Sequence, residues 1–490
     1  MRIIPNHFLE LIKGISTKKL FWVLLLALLV RLTFIFFIAK HYFGRDFIFE
    51  DGDTGAWSTA ITNLIEHGVY TCNAGHEYGY FGRTPGYAFF LGMFYWLFGP
   101  DWVKVFPIVG AFQVILDLIS VYFIFRITEK LLKQHGIAII AAGLYALYPF
   151  VVVWNPVCYS ETLSVFLMLF SLYIYLLKQP QPQRLIISSF IIGLGCLVRL
   201  QLAMMFIVIV LMEVFFNFKK FSLKRQLFNL FLLFTGFSLT YGLWPARNYV
   251  NHGKLIFTQD LRGFPNWNVD VISFMQYIYS VKSEWDPQFT QIVKNQKVEW
   301  PRQSFLIKGD DVKLLRAENL ARNNGSGFSH WKGHVGEIIP PGSSKDSSQI
   351  VSQLFNELRA NQIKEFPFNF WVNLPLQNLN KALFKQKLYN NNTIFGKLSV
   401  VLFTYRTLMI FLGLIGLIYL RRMDQRISLI IIGFFTLLYF TLAFGTSPQM
   451  RNVEVRYFLP ADILLLIPAS VLIHKGWKRF FKAPAINPTH

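Results

Sequence analysis

The sequence predicts an all-α polytopic membrane protein, and three observations lead to that class. The 490 residues are 53% hydrophobic and only 15% charged, whereas soluble domains carry about 25% charged residues. Apolar runs of about 18 or more residues recur along the chain, as expected of transmembrane helices. The formal net charge of +21 falls mainly in short segments between these runs, which is typical of cytoplasmic loops and does not indicate nucleic-acid binding.

About ten apolar segments qualify as membrane spans, and placing the basic clusters in the cytoplasm puts both termini on that side. The clearest are 20–39, 105–126, 157–177, 226–244, 397–420, 427–445 and 457–474, and the weaker ones are 137–153, 185–199 and 201–217. No small-residue cleavage site follows the first run, so a retained span is expected there. The predicted fold is a bundle of about 10–12 transmembrane helices with extracytoplasmic loops.

The segment PGYAFFLGMFYWLFG, 85–99, is harder to assign. Its apolar stretch would form a helix of roughly 20 Å, against a hydrocarbon core of about 30 Å. A full span here would reverse the side of every later loop. We expect a short helix that dips back toward the outer face, and whether it crosses the membrane stays open.

Two long regions are expected outside the cytoplasm, at 40–84 and 245–395. The second is far more polar than its surroundings and contains loop-like runs rich in Pro, Gly, Ser and Asn. Within it, SSQIVSQLFNELRANQIKEF shows apolar residues at helical spacing. The sequence shows no internal repeat and no recognisable soluble domain there, so the region is either a cap over the membrane part or partly disordered.

An acidic cluster, FEDGDTGAW at 49–57, follows the first span. Apolar residues from Trp57 to Leu64 recur at helical spacing, which predicts an amphipathic helix on the membrane surface with Asp53 at its N-cap. Asp53 is therefore either a cap or a general base whose pKa burial has raised. Glu50 and Asp51 are either solvated loop residues or, for the Asp51-x-Asp53 pair, ligands of a divalent ion.

Further stretches of the first loop extend this pattern. Gly68-Val69-Tyr70 and then Arg83-Thr84-Pro85-Gly86-Tyr87 follow the acid. The order of these features resembles the first loop of GT-C glycosyltransferases. In that loop a span is followed by an acid that starts a juxtamembrane helix, then by a Gly-aromatic pair and a basic-x-Pro segment. The likeness is to family 39 and its relatives, which include the protein O-mannosyltransferases and the lipid A aminoarabinose transferases.

Four later motifs resemble the same family. They are NPVCYSETL (155–163) with Glu161, GLGCLVRL (193–200) with Arg199, WPARNYVNHGKL (244–255) with Arg247 and Asn248, and EVRYFLP (454–460) with Glu454, Arg456 and Tyr457. The resemblance covers 20–255 and 397–475. The long region between them departs from the family plan, in which a soluble domain often lies at the C-terminus, and this leaves the acceptor open.

The resemblance implies transfer of a sugar from a polyprenyl-phosphate donor to a lipid, glycan or protein acceptor at the outer face of the membrane. Phosphate is a good leaving group, so the reaction needs a base for the acceptor and positive charge for the phosphate. The resemblance implies that Asp53 is the base and that the phosphate ligands are Arg83, Arg199, Arg247 and Arg456. Glu161 is expected to orient the acceptor or to be an ion-pair partner. The residues expected to give support or to bind a metal are Glu50, Asp51, Glu454 and Tyr457. No cofactor is otherwise indicated.

The expected organisation follows from these assignments. It comprises a cytoplasmic N-terminus (1–19), a transmembrane catalytic module (20–244) with the first outer loop at 40–84, a large extracytoplasmic region (245–395), C-terminal transmembrane helices (396–474) and a cytoplasmic tail (475–490). We expect a multi-pass protein of the bacterial inner (plasma) membrane, surrounded by membrane lipids.

The alternative function is a transporter or a lipid or glycan flippase, and a non-catalytic scaffold is a further reading. A transporter would place polar residues and broken helices near the bilayer midplane and show repeats in its two halves. The sequence shows no repeat and few charges within the spans. Asp117 and Glu213 lie in or near spans without a motif around them, so we expect them to be packing or boundary residues.

Overall fold

The computed structural model describes residues 18–177, 181–217, 221–264, 266–336, 345–384, 394–445 and 454–481. Helices make up 79% of the structure, and the described residues contain no strand, which confirms the all-α class. The N-terminal tail ahead of residue 18 and the basic tail beyond residue 481 lie outside the described residues.

The N-terminal part consists of helices of very unequal length. They are α1 (Lys18–Phe43, with a π-helical turn at Phe34–Ile38), α2 (Thr54–His67), α3 (Pro85–Phe98), α4 (Trp102–Leu132), α5 (His135–Ala146), α6 (Pro149–Val152), α7 (Ser160–Tyr175), α8 (Gln181–Val198), α9 (Ala203–Asn217), α10 (Leu223–Ser238) and α11 (Leu243–His252).

The remaining helices belong to the region inserted after α11 and to the C-terminal part. They are α12 (Val269–Val281), α13 (Gln288–Val293), α14 (Asp310–Arg322), α15 (Phe328–His334), α16 (Lys345–Glu365), α17 (Leu374–Phe384), α18 (Ile394–Met423), α19 (Gln425–Phe444) and α20 (Leu459–Phe481).

By length and composition, six helices of the described residues could cross a membrane. They correspond to α1, α4, α8, α18, α19 and α20, and α10 with α11 forms a pair bent by 55° that would count as a seventh. The other predicted spans, 137–153, 157–177 and 201–217, coincide with shorter apolar helices. Span 137–153 is interrupted because Tyr148 precedes Pro149 and adopts the extended backbone that this position favours.

The segment 85–99 forms the 14-residue helix α3, as expected. Its glycines allow close approach to two neighbours. A Cβ on Gly86 would lie 2.5 Å from the backbone of Leu197 in α8, and one on Gly92 would lie 2.3 Å from the side chain of Ile61 in α2. The opposite face leaves Trp96 75% exposed. The helix is not among those that pass the length test for a span.

The bundle contains buried ion pairs, in which the few charges of the apolar helices find partners. Arg31 pairs with Asp117 at 2.7 Å and Arg406 pairs with Asp462 at 2.7 Å, with all four side chains at most 2% exposed. Glu213 pairs with two arginines at 2.9 and 3.3 Å. Each acid joins separate helices, which is the usual arrangement for a charge inside a membrane domain. Asp117 and Glu213 are therefore structural ion-pair residues.

The inserted region folds as a helical domain with its own core, which we call the inserted domain (α12–α16). Phe274 of α12 lies at the centre of that core and packs edge-to-face against Phe355 and Phe328, with ring centroids 5.5 and 5.7 Å apart. The amphipathic stretch predicted at 347–366 is the long helix α16. The sequence did not show that these helices share a core, because the contacts between them join residues distant in the chain.

Candidate active site

Asp53 lies where the first loop enters α2. It holds the N-cap position, but its side chain makes no capping hydrogen bond. Its backbone N–H donates to Tyr159 Oη at 3.2 Å, and its carboxylate turns toward two arginines. Oδ1 pairs with Arg83 at 2.5 Å and Oδ2 pairs with Arg456 at 2.9 Å. The capping role considered for this carboxylate is therefore wrong.

Glu161 lies in the first turn of α7 and is 1% exposed. Its Oε1 pairs with Arg199 at 2.5 Å and with Arg456 at 3.6 Å. The second oxygen, Oε2, is buried, and no residue that the structure describes donates a hydrogen bond to it. An ionised carboxylate with a buried, unsatisfied oxygen is costly unless another group supplies a donor.

Arg456 connects these acids. It precedes α20 in a short 3₁₀ turn, Val455–Phe458, and contacts Asp53, Glu161 and Glu454, the last through Nε at 2.5 Å. Arginine suits this bridging position because its planar fork presents five donors. Residues from the first loop, from α7 and from the start of the last helix therefore form one connected network of charges.

Aromatic rings fix the orientation of Arg83. Its guanidinium lies over Trp57 at 4.9 Å and over Phe264 at 5.1 Å, and NH1 donates to Gln259 Oε1 at 3.1 Å. Trp57 comes from the apolar face of α2, as the helical spacing predicted. Phe264 and Gln259 belong to the segment after α11, and nothing in the sequence indicated that this segment returns to the first loop.

A second set of rings surrounds Arg456. Its guanidinium lies 5.0 Å from the ring centroid of Tyr159, 5.9 Å from that of Trp154 and 5.4 Å from that of Tyr457. Tyr457 also packs against Arg199 at 5.3 Å. Cation–π contacts of this kind are worth about 0.5–2 kcal/mol. Trp154 and Tyr159 were not selected from the sequence, although Trp154 directly precedes the motif that carries Glu161 and Tyr159 lies within it.

The electrostatics of Asp53 differ from the sequence expectation. Burial raises the pKa of the carboxyl, but the charges of Arg83, Arg456 and Arg199 outweigh burial and lower the pKa to about 2. The raised pKa expected of a base was therefore wrong for this state of the protein. At neutral pH the group is a fully ionised carboxylate held by guanidinium groups.

Arg247 has different partners from the other three arginines. It donates to the carbonyls of Tyr80 and Tyr70 at 3.0 and 3.1 Å and to Asn248 Oδ1 at 3.0 Å. These bonds hold the first loop against α11. Since its described hydrogen bonds go to carbonyl and amide oxygens and reach neither acid of the network, the geometry favours a loop-anchoring role over phosphate binding.

Replacing Arg247 with Ala should therefore lower stability more than donor affinity. Hydrogen bonds to a charged group contribute about 1.5–3 kcal/mol each, and this side chain provides the link between α11 and two carbonyls of the first loop. Thermal unfolding of the purified protein would measure the loss, and binding of a polyprenyl phosphate to the folded fraction would stay within a few fold. A large drop in affinity at unchanged stability would restore the phosphate role.

Glu50 and Asp51 lie apart from the network. Glu50 is exposed, and Asp51 accepts from Arg45 at 3.2 Å and from the backbone N–H of Gly52 at 2.8 Å. Across the described ranges, no group of three or more His, Cys, Asp or Glu side chains is arranged to hold a metal ion. The described contacts of Asp51 are those of an ordinary loop.

A mostly apolar cavity of about 320 Å³ adjoins Arg456. Its lining comes from the end of α1, from α6 and the residues after it, from α18, and from the start of α20: Tyr42, Pro149, Phe150, Val153, Trp154, Ser399, Leu402, Phe403, Glu454, Val455, Arg456, Leu459 and Asp462. Asp462 is already paired with Arg406 at 2.7 Å. The cavity therefore combines an apolar wall with one guanidinium that belongs to the charge network.

Comparison with solved structures gives matches of low sequence identity over most of the chain. The Archaeoglobus fulgidus oligosaccharyltransferase AglB, in complex with an inhibitory peptide and a dolichol-phosphate, gives a TM-score of 0.45 at 13% identity, covering 96% of this chain and 53% of that one. ArnT from Cupriavidus metallidurans, bound to undecaprenyl phosphate, gives 0.35 at 13% identity, covering 88% and 75%. The chain spans about half the length of the oligosaccharyltransferase.

Residues 82–244 match the model of a protein family described as dolichyl-phosphate-mannose-protein mannosyltransferase. This stretch contains Arg83, Glu161 and Arg199 of the network. No curated protein sequence matches the chain significantly. The match covers about a third of the chain and agrees with the resemblance that the motifs indicate.

Proposed function

We propose that this protein transfers a sugar from a polyprenyl-phosphate carrier to an acceptor at the extracytoplasmic face of a bacterial inner membrane. The observation that carries the proposal is the sharing of Asp53 and Glu161 among three guanidinium groups next to an apolar cavity. Similar folds have been solved with dolichol-phosphate and with undecaprenyl phosphate. The acceptor is a lipid, a glycan or a protein.

The arginines are assigned to the donor phosphate. Arg83, Arg199 and Arg456 offer bidentate forks that match phosphate oxygens, and in the described state their charges are balanced by carboxylates. A phosphate that enters the network therefore competes with Asp53 and Glu161 for the same donors. Because the carboxylates give up part of their partners, we expect the pKa of Asp53 to rise from about 2 when the donor is bound.

The apolar cavity is assigned to the carrier lipid. Its volume of about 320 Å³ accommodates a few isoprene units, and the rest of a long prenyl chain would run along the lipid-facing surface of the bundle. Burial of apolar surface contributes roughly 25 cal/mol per Å². Arg456 borders both the cavity and the acids, so a lipid seated there has its phosphate at the charge network.

The chemistry then follows from proton and charge balance. An oxygen of the acceptor forms the new bond to the anomeric carbon, the bond from that carbon to the phosphate oxygen breaks, and its electron pair stays with the phosphate. Asp53 takes the proton of the acceptor hydroxyl. Asp53 loses its negative charge as the phosphate gains one, so the arginines exchange one partner for the other without unpaired charge.

Glu161 is assigned to the acceptor side of the site. Its Oε1 is held by Arg199 and Arg456, which fixes the side chain. Its buried Oε2 has no donor among the described residues, so an acceptor hydroxyl can satisfy it. A positioned group that orients a nucleophile lowers the entropic part of the barrier.

The test is a reconstitution that separates transfer from transport. Proteoliposomes containing the full chain receive a radiolabelled polyprenyl-phosphate sugar and a membrane extract as acceptor source. We expect the label to leave the carrier and free polyprenyl phosphate to accumulate. If the carrier instead crosses the bilayer with its sugar still attached, the flippase alternative is correct and the enzymatic assignment of the site fails.

A further inference from the structure

A second pocket lies between the first loop and the inserted domain. It has a volume of about 410 Å³, within the range of small-ligand sites. Its lining residues come from five segments: His76, Glu77 and Tyr78; Arg262; Trp267, Asn268 and Val269; Gly325, Ser326 and Gly327; and Ser348. None of them belongs to the charge network around Asp53.

A buried acid behind the pocket wall fixes its shape. Asp270 is fully buried at the start of α12 and accepts from Gly327 N–H at 2.7 Å and from Ser348 Oγ at 3.2 Å. A Cβ on Gly327 would lie 2.2 Å from Asp270 Oδ1, so only glycine allows this approach. Three of the lining segments are thereby tied to one carboxylate, and the pocket is preformed.

The charged groups at the pocket are already paired. Arg262 forms a bidentate ion pair with Asp260, with NH2 2.6 Å from Oδ2, and Glu77 pairs with Lys254. Of the basic residues in the lining, Arg262 has a carboxylate partner, and His76 is exposed. A neutral ligand can bind here without displacing either ion pair. Only one arginine lines this pocket, against three in the charge network, so the attraction for an anion is weaker.

The remaining lining groups suit a ligand rich in hydroxyl groups. The ring of Tyr78 is covered by Arg262 at 3.7 Å and by Lys254 at 4.0 Å. The rings of Trp267 and Trp331 pack edge-to-face, with centroids 5.7 Å apart. Trp331 therefore cannot cover both faces of the Trp267 indole. A sugar ring presents one C–H face and a rim of hydroxyls, which match an indole surrounded by serine, amide and backbone groups.

The pocket is connected to the proposed active site through a short segment. Gln259 accepts from Arg83, the N–H of Asp260 donates to Phe81 O at 2.8 Å, and Arg262 lines the pocket. Arg262 follows Gln259 by three residues, and the chain between them enters a 3₁₀ turn at Leu261–Gly263. Their backbones are therefore at most about 10 Å apart. A ligand of several sugar units held in the pocket therefore has its far end within reach of the arginines.

From this arrangement we propose that the pocket around Trp267 is a binding site for a neutral oligosaccharide, and that this oligosaccharide is part of the acceptor. The acceptor class rests on the proposed glycosyl transfer, whereas the binding site itself does not. The pocket holds sugar units distant from the attacking hydroxyl and stacks one of them on Trp267. The hydroxyls of that unit bond to the side chain of Asn268 and to Ser348 Oγ, which acts as an acceptor because its own hydroxyl donates to Asp270.

Binding to a printed oligosaccharide array, with the full-length protein in detergent and no donor present, tests the site. We expect wild type to retain at least one neutral oligosaccharide, and Trp267→Ala to weaken its titrated affinity at least about tenfold. Trp371→Ala, which removes a 54% exposed tryptophan outside the pocket, is the matched control and should stay within about twofold. Asn268→Ala is the second variant, since it removes an exposed pocket amide at the N-cap of α12 whose side chain makes no capping hydrogen bond.

The outcomes separate the site from the reaction. Retention of no oligosaccharide, or equal affinity in wild type, Trp267→Ala and Asn268→Ala, overturns the proposal. If binding depends on Trp267 while the reconstituted protein transfers no sugar, the pocket stands and the proposed function fails. If transfer proceeds and the bound oligosaccharide neither accepts the sugar nor competes with the acceptor, the acceptor role fails.

Discussion

Asp53→Asn should reduce sugar transfer by about 10²- to 10⁴-fold, the usual effect of removing a general base. The substitution keeps the size of the side chain and one oxygen acceptor but removes the group that takes the acceptor proton. It also removes the charge that competes with phosphate for Arg83 and Arg456. Affinity for free polyprenyl phosphate should therefore rise while turnover falls. Single-turnover transfer and equilibrium binding of the lipid phosphate measure the two effects separately.

Two controls make this prediction specific. Asp46→Asn removes an exposed acid of the same loop that pairs with Lys40 and should leave both readouts unchanged.

Since the folded-state pKa of Asp53 is about 2, below the ordinary value of 3.8, its charge adds stability that is present above about pH 4 and is lost as the pH falls toward 2. The asparagine variant should lack this component. Wild-type turnover in the variant would remove Asp53 from the chemistry.

Arg456→Ala should have the second large effect, because this residue joins Asp53, Glu161 and Glu454. We expect a loss of about 10²- to 10³-fold in transfer, the range seen when a preorganised donor to a developing negative charge is removed. Affinity for polyprenyl phosphate should fall as well. The truncation leaves Glu161, which is 1% exposed, with Arg199 as its remaining ion-pair partner, so thermal stability should also drop.

Arg456→Lys distinguishes charge from geometry. Lysine keeps the positive charge but loses the fork that reaches several oxygens at once. We therefore expect stability near that of the wild type, but a rate of transfer almost as low as that of Arg456→Ala. Arg316→Ala, on an exposed position of the inserted domain, is the neutral control. If Arg456→Ala lowers stability but leaves both phosphate affinity and turnover per folded molecule intact, Arg456 is purely structural.

The sequence predicted the components of the network better than their connections. Asp53, Arg83, Glu161, Arg199 and Arg456 each lie in a short motif, and the structure brings them together. Their ion pairs join segments far apart in the chain, which local spacing cannot indicate. The lowered pKa of Asp53 was missed for the same reason, since burial alone would have raised it and the compensating charges come from other segments.

Other errors have more local causes. Arg247 follows a Pro-x-Arg-Asn pattern that resembled a family motif, but pattern does not specify which way a side chain turns, and here it turns to the loop carbonyls. The pairing of Arg31 with Asp117 was missed because the two charges lie on different helices, each embedded in an apolar run. The inserted domain was missed because its core is formed by short helices whose packing depends on contacts distant in sequence.

The position of Arg456 at the entrance to α20 has a consequence for biogenesis. The first loop and α7 leave the ribosome early, but their acids gain this shared guanidinium only when the last helix has been inserted. Until then, Glu161 is buried with one ion-pair partner fewer and the cavity lacks one wall. On the proposed function, we therefore expect a nascent or truncated chain that lacks the last helix to transfer no sugar from the lipid carrier.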